Sequence, residues 1–296
     1  MARQLYKDAN MPRRALVLLA LLLVSCAGGS ASVPTPSAAG STPHIFWSNW
    51  AQGSGTTIGR ANLDGSGAVQ SFIKTNRGLC DVAADPSHIY WASDKSDSVG
   101  RAGLDGRDPI QVWILDPDAP CSVAVAGGYL YIGNQYPGGI GRAKTDGGGA
   151  NLRFIPVSGA VHDVTTDANY IYWTNWDSSA IGRARLDGTG VNQAFIRTAS
   201  PPDGLAVDGA NLYWAELLKG TIGRARLDGT AVDETFVTGI KGPTGVEVNG
   251  GYIYWGSVGA LDTFDGKAIG RANLDGSGVN QSFIAGADNP TGIAIA

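Results

Sequence analysis

From about residue 44 onward, apolar and polar positions alternate in runs of five or six residues, and Asp-Gly, Gly-Gly or Ser/Asn-rich turns separate the runs. Alternation with period two is the pattern of half-buried β-strands. Residues 203–237 show one whole unit. DGLAV is a short apolar strand, NLYWAE follows a turn at Asp208-Gly209, TIGRAR is a third strand, LDGTA a turn and DETFV a fourth strand. The Asp-Gly pairs mark turns because glycine accepts positive φ and aspartate caps the turn backbone. No window beyond the first thirty residues carries a 3.6-residue apolar period, so almost no helix is expected.

The unit recurs. IGRANLDG starts at Ile58, VGRAGLDG at Val99, IGRAKTDG at Ile140, IGRARLDG at Ile181 and again at Ile222, and IGRANLDG at Ile269. The first five starts are 41 residues apart and the last step is 47. Four strands repeated at a period of about forty predict an all-β, six-bladed β-propeller with four-stranded blades. PTGIAIA at 290–296 reads as an innermost strand with no second strand after it. HIFWSN at 44–49 reads as a second strand with no innermost strand before it. Together they complete one blade, which is expected to close the ring and makes 44–296 a single domain.

The second strands read IFWSN from Ile45, IYWAS from Ile89, IYWTN from Ile171, LYWAE from Leu212 and IYWGS from Ile253. With the IGRAxLDG strands, these resemble the YWTD repeats of the low-density lipoprotein receptor class B family over roughly residues 44–296. The resemblance implies a six-bladed propeller that serves as an extracellular binding or ligand-release module without catalysis. The unit at Leu130, LYIGN, departs by lacking the tryptophan, and Asn49 and Asn175 replace the closing acid of the motif.

Composition agrees with many short strands: 43 glycines, eight tryptophans, ten tyrosines and 16% charged residues. The net charge of −4 conceals a local +3 in residues 1–25, which leaves −7 on the remainder. A mildly acidic body without a basic cluster argues against nucleic-acid binding. Residues 13–26 read RRALVLLALLLVSC, two arginines before an apolar run too short to span a bilayer and suited to a signal peptide. Met1 and Met11 are both candidate initiators. The end of the run resembles the lipobox of bacterial lipoproteins, which implies lipid attachment at Cys26. Residues 1–25 are then a lipoprotein signal peptide and 26–43 a Gly/Ser/Pro tether, too poor in apolar residues to fold. The expected location is the bacterial cell envelope, extracytoplasmic, with the membrane engaged through the lipid anchor only.

The six arginines of the repeat (Arg60, Arg101, Arg142, Arg183, Arg224, Arg271) share a strand face with the isoleucines. They are expected to be half-buried and paired with an acid or with backbone carbonyls. Aligning the repeats places Cys80, Cys121, His162, Asp203, Thr244 and Thr291 at the entrance of each innermost strand, around one mouth of the axial channel. Asp81, Ser122, Asp163, Gly204, Gly245 and Gly292 follow them. Cys80 and Cys121 are open to three readings: a disulfide, favoured in an exported protein, two free thiols, or ligands of a metal with His162 and Asp203.

No cofactor motif, serine elbow or metal-spaced histidine pair is present. The turns between second and third strands fall on the same face as the mouth and carry Trp50, Tyr136, Trp176 and, in a loop lengthened by a six-residue insertion (VGALDTFDGK, 258–267), Phe264. Aromatics around a concave mouth point to ligand contact, and steric capping of the blades is the alternative for Trp50 and Trp176. The ligand-binding set is therefore Trp50, Tyr136, Trp176, Phe264, His162 and Asp203, facing a protein, small-molecule or glycan partner. The alternative is a metal-dependent propeller hydrolase, lactonase or lyase acting at the mouth.

Overall fold

The computed structural model describes residues 42–50, 56–75, 78–116, 118–260, 263 and 265–296. The leader, Cys26, most of the tether and Phe264 lie outside the described residues. Thr42–Ala296 forms one compact unit. Its twenty-four strands make six four-stranded antiparallel sheets, and there is no helix among the described residues.

Blade 1 joins the two ends of this unit. Its strands from the axis outward are Pro290–Ile295, His44–Asn49, Thr57–Asn62 and Val69–Lys74. Blade 2 comprises Leu79–Ala84, His88–Ser93, Ser98–Gly103 and Ile110–Leu115. Blade 3 comprises Pro120–Ala126, Tyr129–Asn134, Gly139–Lys144 and Asn151–Ile155. Blade 4 comprises Val161–Thr166, Tyr170–Asn175, Ala180–Arg185 and Asn192–Arg197. Blade 5 comprises Leu205–Val207, Asn211–Glu216, Thr221–Arg226 and Asp233–Val237, and blade 6 Pro243–Asn249, Tyr252–Ser257, Ala268–Asn273 and Asn280–Ala285. Each innermost strand packs beside the next, blade 6 beside blade 1 and blade 1 beside blade 2.

Five blades share one packing unit. The tryptophan of the second strand is opposite the glycine of the third, as Trp47 is to Gly59 and Trp214 to Gly223. The indole lies flat over that glycine, and a Cβ there would collide with the ring in all five blades. The other side of each indole packs on the tyrosine or phenylalanine and the isoleucine of the preceding blade: Trp214 against Tyr172 and Ile181, and Trp91 against Phe46 and Ile58. All five tryptophans are fully buried. The glycine of the IGRA motif therefore makes room for its own blade's indole. In blade 3, Ile132 stands where the others have tryptophan, and Gly141 meets no indole.

The repeated arginine is explained by a partner that the motif alone did not reveal. Each guanidinium lies over an aromatic ring of its own outer strand, from 3.6 Å (Arg101 on Trp113) to 4.2 Å (Arg60 on Phe72) from the ring centre. Arg142 and Arg183 also donate to the carbonyls of Leu186 and Leu227, at 3.3 and 3.1 Å, in the Leu-Asp-Gly turn of the next blade. The expectation of carbonyl partners holds for these two and for Arg101, which bonds the Thr145 carbonyl. No acid is paired with any of the six in the described structure, because a ring face supplies the attraction at lower desolvation cost. The glycines of these turns have φ between 79° and 87°, and each abuts the outer-strand aromatic of the preceding blade. IGRA, the aromatic twelve residues later and the Leu-Asp-Gly turn thus form one latch between blades.

Candidate functional site: the axial mouth

Antiparallel order puts the entrance of every innermost strand and every turn between second and third strands at the same end of the ring. A cavity of about 210 Å³ opens there. Cys80, Cys121, His162, Asp203, Thr244 and Thr291 all line it, together with Asp81, Asp163 and Trp50. Cys80 and Cys121 are joined by a disulfide between adjacent blades, with Cα atoms 5.1 Å apart. Among the described residues, no group of three or more His, Cys, Asp or Glu side chains is arranged to hold a metal ion.

His162 and Asp203 form the polar centre of the mouth. The imidazole Nδ1 lies 3.1 Å from Asp203 Oδ1, and the ring stacks on Trp176 at 4.7 Å between centroids and 16° between planes. The backbone that carries them is tied by Thr174, the third letter of YWT. Its hydroxyl accepts from the Asp163 amide at 2.8 Å and donates to the Asp203 carbonyl at 2.8 Å. Ser48 does the same on the opposite side of the ring, three blades away, accepting from Gly292 N–H and donating to the Cys80 carbonyl. Short hydroxyl residues at this position thus stitch blade 1 to blade 2 and blade 4 to blade 5, while the other four blades carry Ala92, Gly133, Ala215 and Gly256 there.

Asp81 and Asp163 lie one residue deeper. Each reaches across to the neighbouring blade: Asp81 accepts from Val123 N–H at 2.9 Å and Asp163 from Leu205 N–H at 2.6 Å. Burial raises the pKa of both, and like charge adds to the shift, from Asp203 on Asp81 and from Asp81 on Asp163; the amide bonds oppose it. Beneath them a second chamber of about 180 Å³ runs down the axis, lined by Asp81, Asp163 and Glu247. Burial pushes Glu247 up to about 8. Glu247 was missed in the sequence, although the repeat alignment flags it. The equivalent innermost positions are Ala83, Ala124, Thr165, Ala206 and Ala294.

The aromatic set divides. Trp50 lines the cavity and Trp176 backs His162. Tyr136 stands apart from the cavity lining with 71% of its surface exposed. Its amide and that of Gln135 bond the carbonyls of Asp118 and Ala119, which ties this turn to the crossover from blade 2. Leu217 and Val258, absent from the sequence-based set, complete the apolar side of the mouth.

Fold and mouth together define a six-bladed propeller with a pocket on its axis. Residues 169–208 match the family model described as low-density lipoprotein receptor repeat class B, so the chain carries that repeat, and the other five blades vary the same pattern. A chain of a nidogen/laminin complex superimposes with a TM-score of 0.70 at 20% identity, over 86% of this chain and 98% of the other. Virginiamycin B lyase from Staphylococcus aureus gives 0.58 at 18% identity, over 84% and 92%. A gluconolactonase from Xanthomonas campestris gives 0.54 at 18% identity, over 72% and 76%. At these identities the likeness establishes the fold. No curated protein matches the chain in sequence.

Proposed function

We propose that the protein is a non-catalytic binding module held at the bacterial cell envelope by a lipid on Cys26, and that it captures a protein, small-molecule or glycan ligand at the axial mouth. The observation that carries this reading is the open cavity with one wall of Trp50, Leu217 and Val258 and a polar centre of His162 and Asp203. An apolar wall with a few convergent polar groups is the usual composition of a recognition pocket. The nidogen/laminin neighbour supports protein capture by this fold. The lyase and gluconolactonase neighbours supply the alternative, chemistry at the same mouth with His162 oriented by Asp203.

The double change Trp50→Ala with Trp176→Ala tests the reading. Pull-down from envelope extract with the soluble domain should recover a partner with wild type. The variant should bind it about thirtyfold more weakly, as expected when an aromatic anchor worth about 2 kcal/mol is lost, with little change in Tm. Undiminished capture by the stable double variant would refute the mouth as the binding site. Turnover of a lactone or a streptogramin that is lost in His162→Ala would move the reading to the enzymatic alternative.

A further inference from the structure

The outer strands of the six blades are the free edges of the sheets, and five of them are blunted. In blades 3, 4, 5 and 6 the first residue of the outer strand is Asn151, Asn192, Asp233 or Asn280. Its side-chain oxygen accepts the amide of the residue two further on, at 3.0–3.2 Å. That bond occupies an N–H group which an added strand would need. Blade 1 begins with Val69 but carries Ser71 and Lys74 along the strand. Charged and self-capped edges are the ordinary defence against strand addition.

Blade 2 has neither defence. Ile110 stands at the capping position and has no acceptor to offer the amide of Val112. Ile110, Val112 and Leu115 are 38, 50 and 65% exposed. At the three matching positions each other blade presents at least two residues that are polar, charged or unable to donate, or a single small alanine beside polar ones: Val69, Ser71 and Lys74; Asn151, Arg153 and Pro156; Asn192, Ala194 and Arg197; Asp233, Thr235 and Thr238; or Asn280, Ser282 and Ala285. No charged residue falls between Asp108 and Asp116. Among the described residues no strand pairs with this outer edge.

We propose that the outer edge of blade 2, Ile110–Leu115, is a docking site for an extended, apolar peptide segment of a partner protein that adds to the blade as a fifth strand. Main-chain hydrogen bonds would supply the affinity, and Ile110, Val112 and Leu115 would supply the side-chain contacts. Area decides between a peptide and a second copy of this chain. Six residues make a strip about 20 Å long. Two copies joined edge to edge would bury roughly 400 Å² in all, far below the ~1,200 Å² at which stable interfaces begin. A second copy would offer the same main-chain bonds, but two rigid propellers could meet only along this strip, whereas an extended peptide can lay its alternate side chains over both faces of the blade edge.

The probe is a fluorescein-labelled peptide of alternating valine and threonine, about eight residues long with a lysine at each end, and a control peptide N-methylated at alternate residues. The protein variant combines Ile110→Asn, Val112→Ser and Leu115→Lys, residues that already stand at the matching positions of other blades. By fluorescence anisotropy, wild type should bind the probe, and the triple variant should bind it at least about tenfold more weakly with an unchanged Tm. The N-methylated peptide should not bind. The Trp50→Ala, Trp176→Ala protein should bind the probe like wild type, which separates this edge from the mouth. Four results would each overturn the proposal: no binding by wild type, equal binding by the triple variant, binding of the N-methylated peptide, or a wild-type dimer in sedimentation that the triple variant dissolves.

Discussion

The two ends of this ring are built by opposite rules. At the far end, six arginines, six outer-strand aromatics and six Leu/Thr-Asp-Gly turns repeat with almost no variation. At the mouth end, the six equivalent ring positions hold two cysteines, a histidine, an aspartate and two threonines. A side chain needed six times is doing a structural job, and a position that changes residue type around the ring is free of that sixfold job. The latch end keeps neighbouring blades in register, and the variety of the mouth rests on that regularity.

The largest effect expected from breaking this contrast lies in the register the two ends share. Trp214→Ala would remove a fully buried indole that fills the space over Gly223 and against Tyr172 and Ile181. Because a rigid sheet cannot collapse into the void, the loss should be about 3–5 kcal/mol in chemical denaturation. A loss below about 1 kcal/mol would show that the blades repack freely and that the indole does not set their spacing.

A smaller effect is expected at the latch. Arg183→Met keeps the aliphatic stem but removes the guanidinium from the Phe195 ring, 3.8 Å away, and from the Leu227 carbonyl. The expected cost is about 1–2 kcal/mol, with ligand capture at the mouth unchanged. Weakened capture at normal stability would mean that the two ends are coupled, contrary to the division drawn above.

How much of this was legible in the sequence follows the same division. The blade count, the strand order and the pairing of 290–296 with 44–49 follow from the repeat period, because propeller blades are nearest-neighbour units. Aligning repeats also brought Cys80, Cys121, His162 and Asp203 to one mouth, since equivalent positions in a ring share a height. What escaped was contact between registers. The ring under each arginine lies twelve residues downstream on another strand, and its constant offset was a usable signal. The stacking of Trp176 on His162 depends on turn conformation, which no period reports. Tyr136 was grouped with the mouth because its turn is on that face, but backbone bonds to Asp118 and Ala119 tie it to the crossover.

The smallest effect, and one whose sign is diagnostic, concerns the axis below the mouth. Glu247 shares its chamber with Asp81 and Asp163, and among the described residues no lysine or arginine lines that chamber. Burial raises its pKa from the ordinary glutamate value of 4.5 to about 8, and the charge of Asp81 adds to the shift. The folded chain therefore holds this proton more tightly than the unfolded chain does. The contribution to stability is complete below about pH 4.5 and is lost as pH rises toward 8, where a buried carboxylate is left without a counter-charge. Glu247→Gln keeps the shape and never ionises. It should match wild type in Tm near pH 4 and exceed it near pH 9, with a flatter profile between. Water reaching the channel screens the charge, so the gain at high pH should be on the order of 1 kcal/mol. Asp81 and Asp163 still titrate in the variant, which leaves part of the slope in place. If Glu247→Gln instead melts below wild type at pH 9, the carboxylate is stabilised as an anion, and the axis is a balanced network rather than a store of unfavourable charge.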